Sequence, residues 1–159
     1  IARKIGMVSY RSSLEWTQRF GRKRSEDNKL NQNTFGIENT SFEFEIESYL
    51  EHQAVKFQNI FDANCYLYLS RAMDWFDVAK HGKSTLDAIS KTNIEKALIL
   101  GVNTDVLFPP QQQKEIAELL SLSNTIVEYK ELDCLQGHDS FLVDTSTFSE
   151  EILKFMKNL

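Results

Sequence analysis

Two side chains near the C-terminal end, Asp105 and His138, are of the types that together handle a proton. A carboxylate that accepts a hydrogen bond from one imidazole nitrogen fixes the ring tautomer and stabilises the imidazolium. The other nitrogen is then free to take a proton from a nucleophile. Asp105 follows a short apolar run, and His138 stands between Gly137 and Asp139. Each also has a plainer reading. An Asp behind a strand commonly caps a turn, a His beside Gly commonly belongs to a loop, and Asp139 could cap the helix that follows. Cys134 with His138 is a competing nucleophilic dyad, but nothing in the sequence lowers that thiol's pKa, and a Cys directly after a strand reads as buried filler. No metal is expected, because His52, His81 and His138 show no paired ligand spacing.

Asp105 and His138 can cooperate only if the chain returns to the same place between them. Residues 97–102, Ala-Leu-Ile-Leu-Gly-Val, form a continuous apolar run, which predicts a strand buried on both faces of a parallel sheet. Pro109 and Pro110 mark a helix start, where a missing N–H costs nothing, with Ile116, Leu119 and Leu120 on its inner face. Residues 125–129 read as a second strand, residues 132–139 as a loop, and residues 150–157 as a closing helix with Ile152, Leu153, Phe155 and Met156 facing in. One strand–helix–strand passage thus separates Asp105 from His138. Both are expected beyond the carboxyl ends of neighbouring strands, where open parallel sheets gather their functional groups. A carboxylate oxygen should then lie within hydrogen-bond reach of a ring nitrogen.

The preceding part of the chain is helical in pattern. Residues 1 to about 22 predict a short helix and a polar turn, with Ile5, Val8 and Trp16 on the apolar side, and residues 23–40 predict a surface loop. From Phe44 the helical period runs through Ile46, Leu50, Ala54, Phe57 and Phe61, and a second stretch puts Cys65, Leu69, Ala72, Met73 and Phe76 on one face. Ser84 with Asp87 resembles an N-cap pair opening a third short helix. The expected organisation is a helix and connection over residues 1–40, a helical region over 41–92, and a strand–helix–strand–helix core part over 93–159.

Composition narrows the class. Hydrophobic residues are 42% and charged residues 26% of the 159, a folded, soluble balance rather than a disordered one. A net charge of −5, with a single short basic cluster at Arg19, Arg22, Lys23 and Arg24, argues against nucleic acid as a partner. No stretch approaches the ~20 apolar residues of a membrane span, and Ile1-Ala2-Arg3-Lys4 lacks the order of a signal peptide. Two cysteines, Cys65 and Cys134, make no disulfide framework, so reduced thiols in a cytoplasmic protein are expected. The chain does not begin with Met, which reads as processing, cleavage or a piece of something longer.

An acid and then a histidine in successive loops at one sheet edge is the order of the α/β-hydrolase triad, in which a serine on a G-x-S-x-G elbow precedes both. No G-x-S-x-G occurs in these 159 residues. The expected fold is therefore α/β, the C-terminal part of an α/β-hydrolase with an inserted helical lid, its nucleophile upstream. Longer motifs point further: Ala2-Arg3-Lys4-Ile5-Gly6-Met7, Ser9-Tyr10-Arg11-Ser12, Arg19-Phe20-Gly21, Glu47-Ser48-Tyr49-Leu50 with His52-Gln53, Phe61-Asp62-Ala63-Asn64, Ala72-Met73-Asp74, Asp105-Val106-Leu107-Phe108-Pro109 and Gly137-His138-Asp139. Together they resemble the homoserine O-acetyltransferase family of methionine biosynthesis.

That resemblance implies acyl transfer from acetyl-CoA, a co-substrate rather than a bound cofactor, to the hydroxyl of L-homoserine by a ping-pong route through an acyl-serine. It makes Asp105 the triad acid and His138 the base. It assigns Arg11 to the substrate carboxylate, Asp139 to its ammonium, and Tyr49 to the same pocket. It also makes the helices over residues 44–89 a lid that supplies a homodimer contact, although aromatic side chains at that spacing would equally suit an intramolecular core. Homoserine or serine O-succinyltransfer, an esterase of the same fold, and an inactive fragment remain the alternatives.

Overall fold

The computed structural model describes residues 1–25, 44–58 and 60–158. Most of the loop expected over residues 23–40 lies outside the described residues. Two parallel strands, β1 (Lys96–Val102) and β2 (Ile126–Leu132), form the sheet, in register from Lys96 opposite Ile126 to Val102 opposite Leu132. Between them runs α6 (Pro110–Leu122), with Pro109 in the N-cap position and Pro110 opening the first turn. This helix packs on both strands through Ala117 and Leu120, while Ile116, expected inside, is exposed. β2 is longer than its apolar pattern suggested. Its polar half is held by Lys130, which pairs with Glu128 in the same strand and with Glu151 of the last helix.

The N-terminal stretch is two helices, not one. α1 (Ala2–Tyr10) breaks where Arg11 turns extended, and α2 (Ser13–Arg19) begins under the Ser12 cap, whose hydroxyl accepts from the Glu15 N–H. α1 packs against α3 (Glu45–Gln58), with Lys4 paired to Glu51 and Arg3 over the Phe57 ring. That docking buries Met7 and leaves Ile5 and Val8, the expected apolar side, open.

α4 (Ala63–Trp75) is capped by Asp62, and α5 (Thr85–Ser90) by Ser84, as the Ser84/Asp87 pattern predicts. The expected apolar face of α4 does form along the helix, but Leu69, Met73 and Phe76 on it are exposed. α7 (Ser140–Val143) leads into α8 (Thr145–Met156), which starts five residues before the sequence-based boundary because Asp144 caps it. Its inward positions are Phe148, Glu151 and Phe155, spaced i, i+3, i+7, whereas Ile152, Leu153 and Met156 face outward. The buried centre is small: Val102, Leu132 and Cys134, flanked by Leu100 and Phe148. Only the last two residues of β1, Gly101 and Val102, are buried, so the strand is not covered on both faces among the described residues.

Candidate active site

Asp105 and His138 meet at the carboxyl end of the two strands. The backbone bends straight out of β1, with the Asp105 N–H donating to Val102 O. One carboxylate oxygen, Oδ1, accepts from the Leu107 and Phe108 N–H groups at 2.8 and 3.0 Å, which closes the turn. The other, Oδ2, lies 3.0 Å from His138 Nδ1. One carboxylate oxygen thus closes the turn while the other faces the imidazole. An ionised carboxylate can only accept, so Nδ1 carries the proton and Nε2 is left as the basic nitrogen. Among the described residues three aromatic rings surround the imidazole: Phe108 at 4.9 Å between centroids, Tyr10 at 5.6 Å and Phe141 at 6.3 Å. A cleft of about 320 Å³ opens beside it, bounded by Leu100, Asp105, Phe108, His138, Phe141 and Phe148 among others.

His138 sits in a single 3-10 turn, Gly137–Asp139, pressed against the break between α1 and α2. Gly137 has φ +70°, and a Cβ there would come within 2.8 Å of the Ser12 nitrogen and 3.0 Å of the Arg11 carbonyl carbon. Glycine is required twice over, for its backbone angle and for its neighbours. Through this contact Arg11 reaches Asp139: its Nε is 3.1 Å from Asp139 Oδ2, an ionic contact without hydrogen-bond alignment. Nη1 donates to Glu15 Oε1 at 2.9 Å. All three side chains are mostly buried, so the guanidinium is held between two carboxylates.

Four of the five sequence-derived candidates, Asp105, His138, Arg11 and Asp139, are thus brought to one end of the sheet. Tyr49 is not. It packs among Trp16, Phe20 and Arg19 on the far side of α2, because its turn of α3 faces that helix. Cys134 is buried against Val102 and Leu132, and burial, followed by the nearby Asp144, pushes its thiol pKa up, the opposite of what a nucleophile needs.

No protein-family model matches the chain. It is 48% identical to a serine O-succinyltransferase of Xylella fastidiosa over its whole length, which is 42% of that relative. Serine O-succinyltransferases of Stenotrophomonas maltophilia and Litchfieldella anticariensis are 45% and 46% identical, with 42% and 41% of their lengths covered. The chain therefore spans less than half the length of the curated relatives it matches. Among solved structures, a homoserine O-acetyltransferase from Bacillus anthracis superposes on 97% of the chain with TM-score 0.73 at 18% identity, using 39% of that chain. An esterase covers 96% with TM-score 0.72 at 22% identity, using 40% of its own length.

At 45–48% identity, the chain resembles part of these serine O-succinyltransferases. Its fold is a partial α/β-hydrolase. Sequence reading passed over several side chains that the fold brings to the site. Glu15 lies four residues after Arg11 and was open to an i,i+4 search on a helix start. Tyr10, Ser12 and Phe108 stood inside the resembling motifs without a role. Thr104 carried no signal at all, since a Thr after a strand is unremarkable by type. Among the described residues no cluster of His, Cys, Asp or Glu could hold a metal, and no helix is long and apolar enough to cross a membrane.

Proposed function

We propose that the protein containing these residues transfers an acyl group from a CoA thioester to the side-chain hydroxyl of a small amino acid, with succinyl-CoA as donor and L-serine as acceptor. The observation that carries the choice of donor and acceptor is the 48% identity, along the whole chain, to serine O-succinyltransferases. The geometry supports the acyl chemistry. His138 Nε2 takes the proton of a serine nucleophile supplied by the part of the protein outside this chain, and the alkoxide attacks the thioester carbonyl. The CoA thiolate leaves and is protonated by the imidazolium. His138 then deprotonates the amino-acid hydroxyl, which attacks the acyl-serine; the serine alkoxide leaves, takes the proton back from the imidazolium and frees the ester product, while Asp105 holds the ring throughout.

Arg11 recognises the amino-acid carboxylate and Asp139 its ammonium, and their juxtaposition supports a zwitterion site. The homodimer contact is made by the exposed apolar face of α4, through Leu69 and Met73 with Phe76 at its C-terminal end. Free thiols at Cys65 and Cys134 suit a cytoplasmic enzyme that works on CoA thioesters.

The test uses the full-length protein with succinyl-CoA or acetyl-CoA and L-serine or L-homoserine, following CoA thiol release and the mass of the product. O-succinylserine should form with the highest kcat/KM. Preference for acetyl-CoA and homoserine would move the assignment to the other acyltransfer of the family. Ester cleavage without transfer to either amino acid would make the protein an esterase.

A further inference from the structure

The strands end before the chemistry begins, so something must hold the two outgoing loops at a fixed spacing. Beyond β1 and β2 the loops are joined first by Asn103, whose backbone N–H donates to Leu132 O and whose side chain donates to Asp133 Oδ1 at 2.7 Å. The next residue makes the closer link. Thr104 Oγ1 donates to Cys134 O at 2.6 Å and accepts from the Gly137 N–H at 3.2 Å. One hydroxyl thus bridges both sides of the turn that delivers His138, and its own backbone continues directly into Asp105. Both partners are backbone groups of buried residues.

We propose that Thr104 is a positioning residue: its hydroxyl clamps the acid loop to the base loop and sets the Asp105–His138 hydrogen bond. This rests on the acid–base reading of that pair. The chemistry requires the hydroxyl in particular, because it donates and accepts at once, which no methyl group can do. Replacing it by an isosteric methyl leaves the Cys134 carbonyl and the Gly137 N–H buried without partners. The loops then rearrange to find new ones, and the 3.0 Å contact between Oδ2 and Nδ1 is what lies between them. A displacement of about 1 Å in such a group can lower turnover by as much as ~10²-fold. The imidazole also loses the partner that selects its Nδ1–H tautomer.

The experiment compares wild-type, Thr104→Val, Thr104→Ser and His138→Ala forms of the full-length protein. Turnover is measured together with the tautomer of His138, read from histidine ¹⁵N shifts at a pH where the ring is neutral and assigned by the His138→Ala spectrum. Wild type should hold the Nδ1–H tautomer. Thr104→Val should shift the population toward Nε2–H and lower kcat by about 10–100-fold. Thr104→Ser, which keeps the hydroxyl, should match wild type in both. A folded Thr104→Val protein with a lower Tm but wild-type tautomer and kcat would overturn the proposal and leave Thr104 a stabilising residue only. Should the Val variant not fold, a Ser variant that loses the tautomer and turnover would overturn it equally. If wild type itself lacks the Nδ1–H tautomer, or His138→Ala turns over normally, the acid–base reading fails and the clamp with it.

Discussion

Asp105 divides its two oxygens between a backbone turn and an imidazole, and substitutions can separate the two tasks. Asn keeps an oxygen for the Leu107 and Phe108 N–H groups but can present an NH₂ to His138, which then holds the wrong tautomer. Asp105→Asn in the full-length protein should therefore melt close to wild type while kcat falls by ~10²–10⁴. Asp105→Ala should lose both activity and stability, and calorimetry beside steady-state assays distinguishes them. Arg11 invites the same separation. Its removal leaves Glu15 and Asp139 mostly buried without their cation, so Arg11→Ala should cost roughly 3 kcal/mol in unfolding free energy. In the surviving folded fraction, amino-acid use should suffer more than single-turnover acyl-enzyme formation. Equal losses in both steps would remove Arg11 from recognition of the amino acid.

The starts of α2, α4, α5 and α8 are capped by short side chains, and α8 shows the consequence for pH. Asp144 accepts from Thr147 Oγ1, Ser146 Oγ and the Thr147 N–H, and these hydrogen bonds hold its carboxyl below the usual carboxylate range. A depressed folded-state pKa contributes stability above the unfolded value, and that contribution is lost as pH falls through the folded one. The Tm gap between wild type and Asp144→Ala should be full at neutral pH and close as the solution is acidified below about 4. A gap that stays constant with pH would show that the carboxylate charge plays no part. For α4, aspartates at both Leu69 and Met73 should turn the dimer proposed for the full-length protein into a monomer in light-scattering chromatography. A dimer that persists would place the subunit contact elsewhere.

At the scale of the whole chain, the two parallel strands have one helix between them, and β1 is only half-buried along most of its length. Large apolar side chains stand in solvent on nearly every helix, among them Ile5, Leu67, Trp75, Leu142 and Leu153. Parallel sheets are normally covered on both faces, and exposed strand edges invite association. The isolated 159 residues should give weak near-UV circular dichroism and no sharp thermal transition, and should order when co-expressed with the remainder of the protein. They should also fail to transfer an acyl group above a His138→Ala control. A soluble monomer with cooperative melting would show that the residues complete their own core.

What was legible in the sequence is what neighbouring residues decide together. The two strands, the proline start of α6, the caps at Ser84 and the placement of Asp105 and His138 beyond strand ends all depend on a few consecutive side chains and their backbone. Asp105 and His138 were readable as neighbours because strand–helix–strand connectivity returns the chain to the same sheet edge. Tertiary structure alone decided which side of an amphipathic helix is covered. Met7 rather than Ile5 and Val8 is buried on α1, and on α8 Phe148 is covered beside the expected Phe155 while Ile152 and Leu153 are exposed. It also decided that Arg11 meets Asp139, that Tyr49 packs on α2, and that Thr104 bridges two loops. Burial and long-range pairing depend on the surface another element presents, and no local period carries that information.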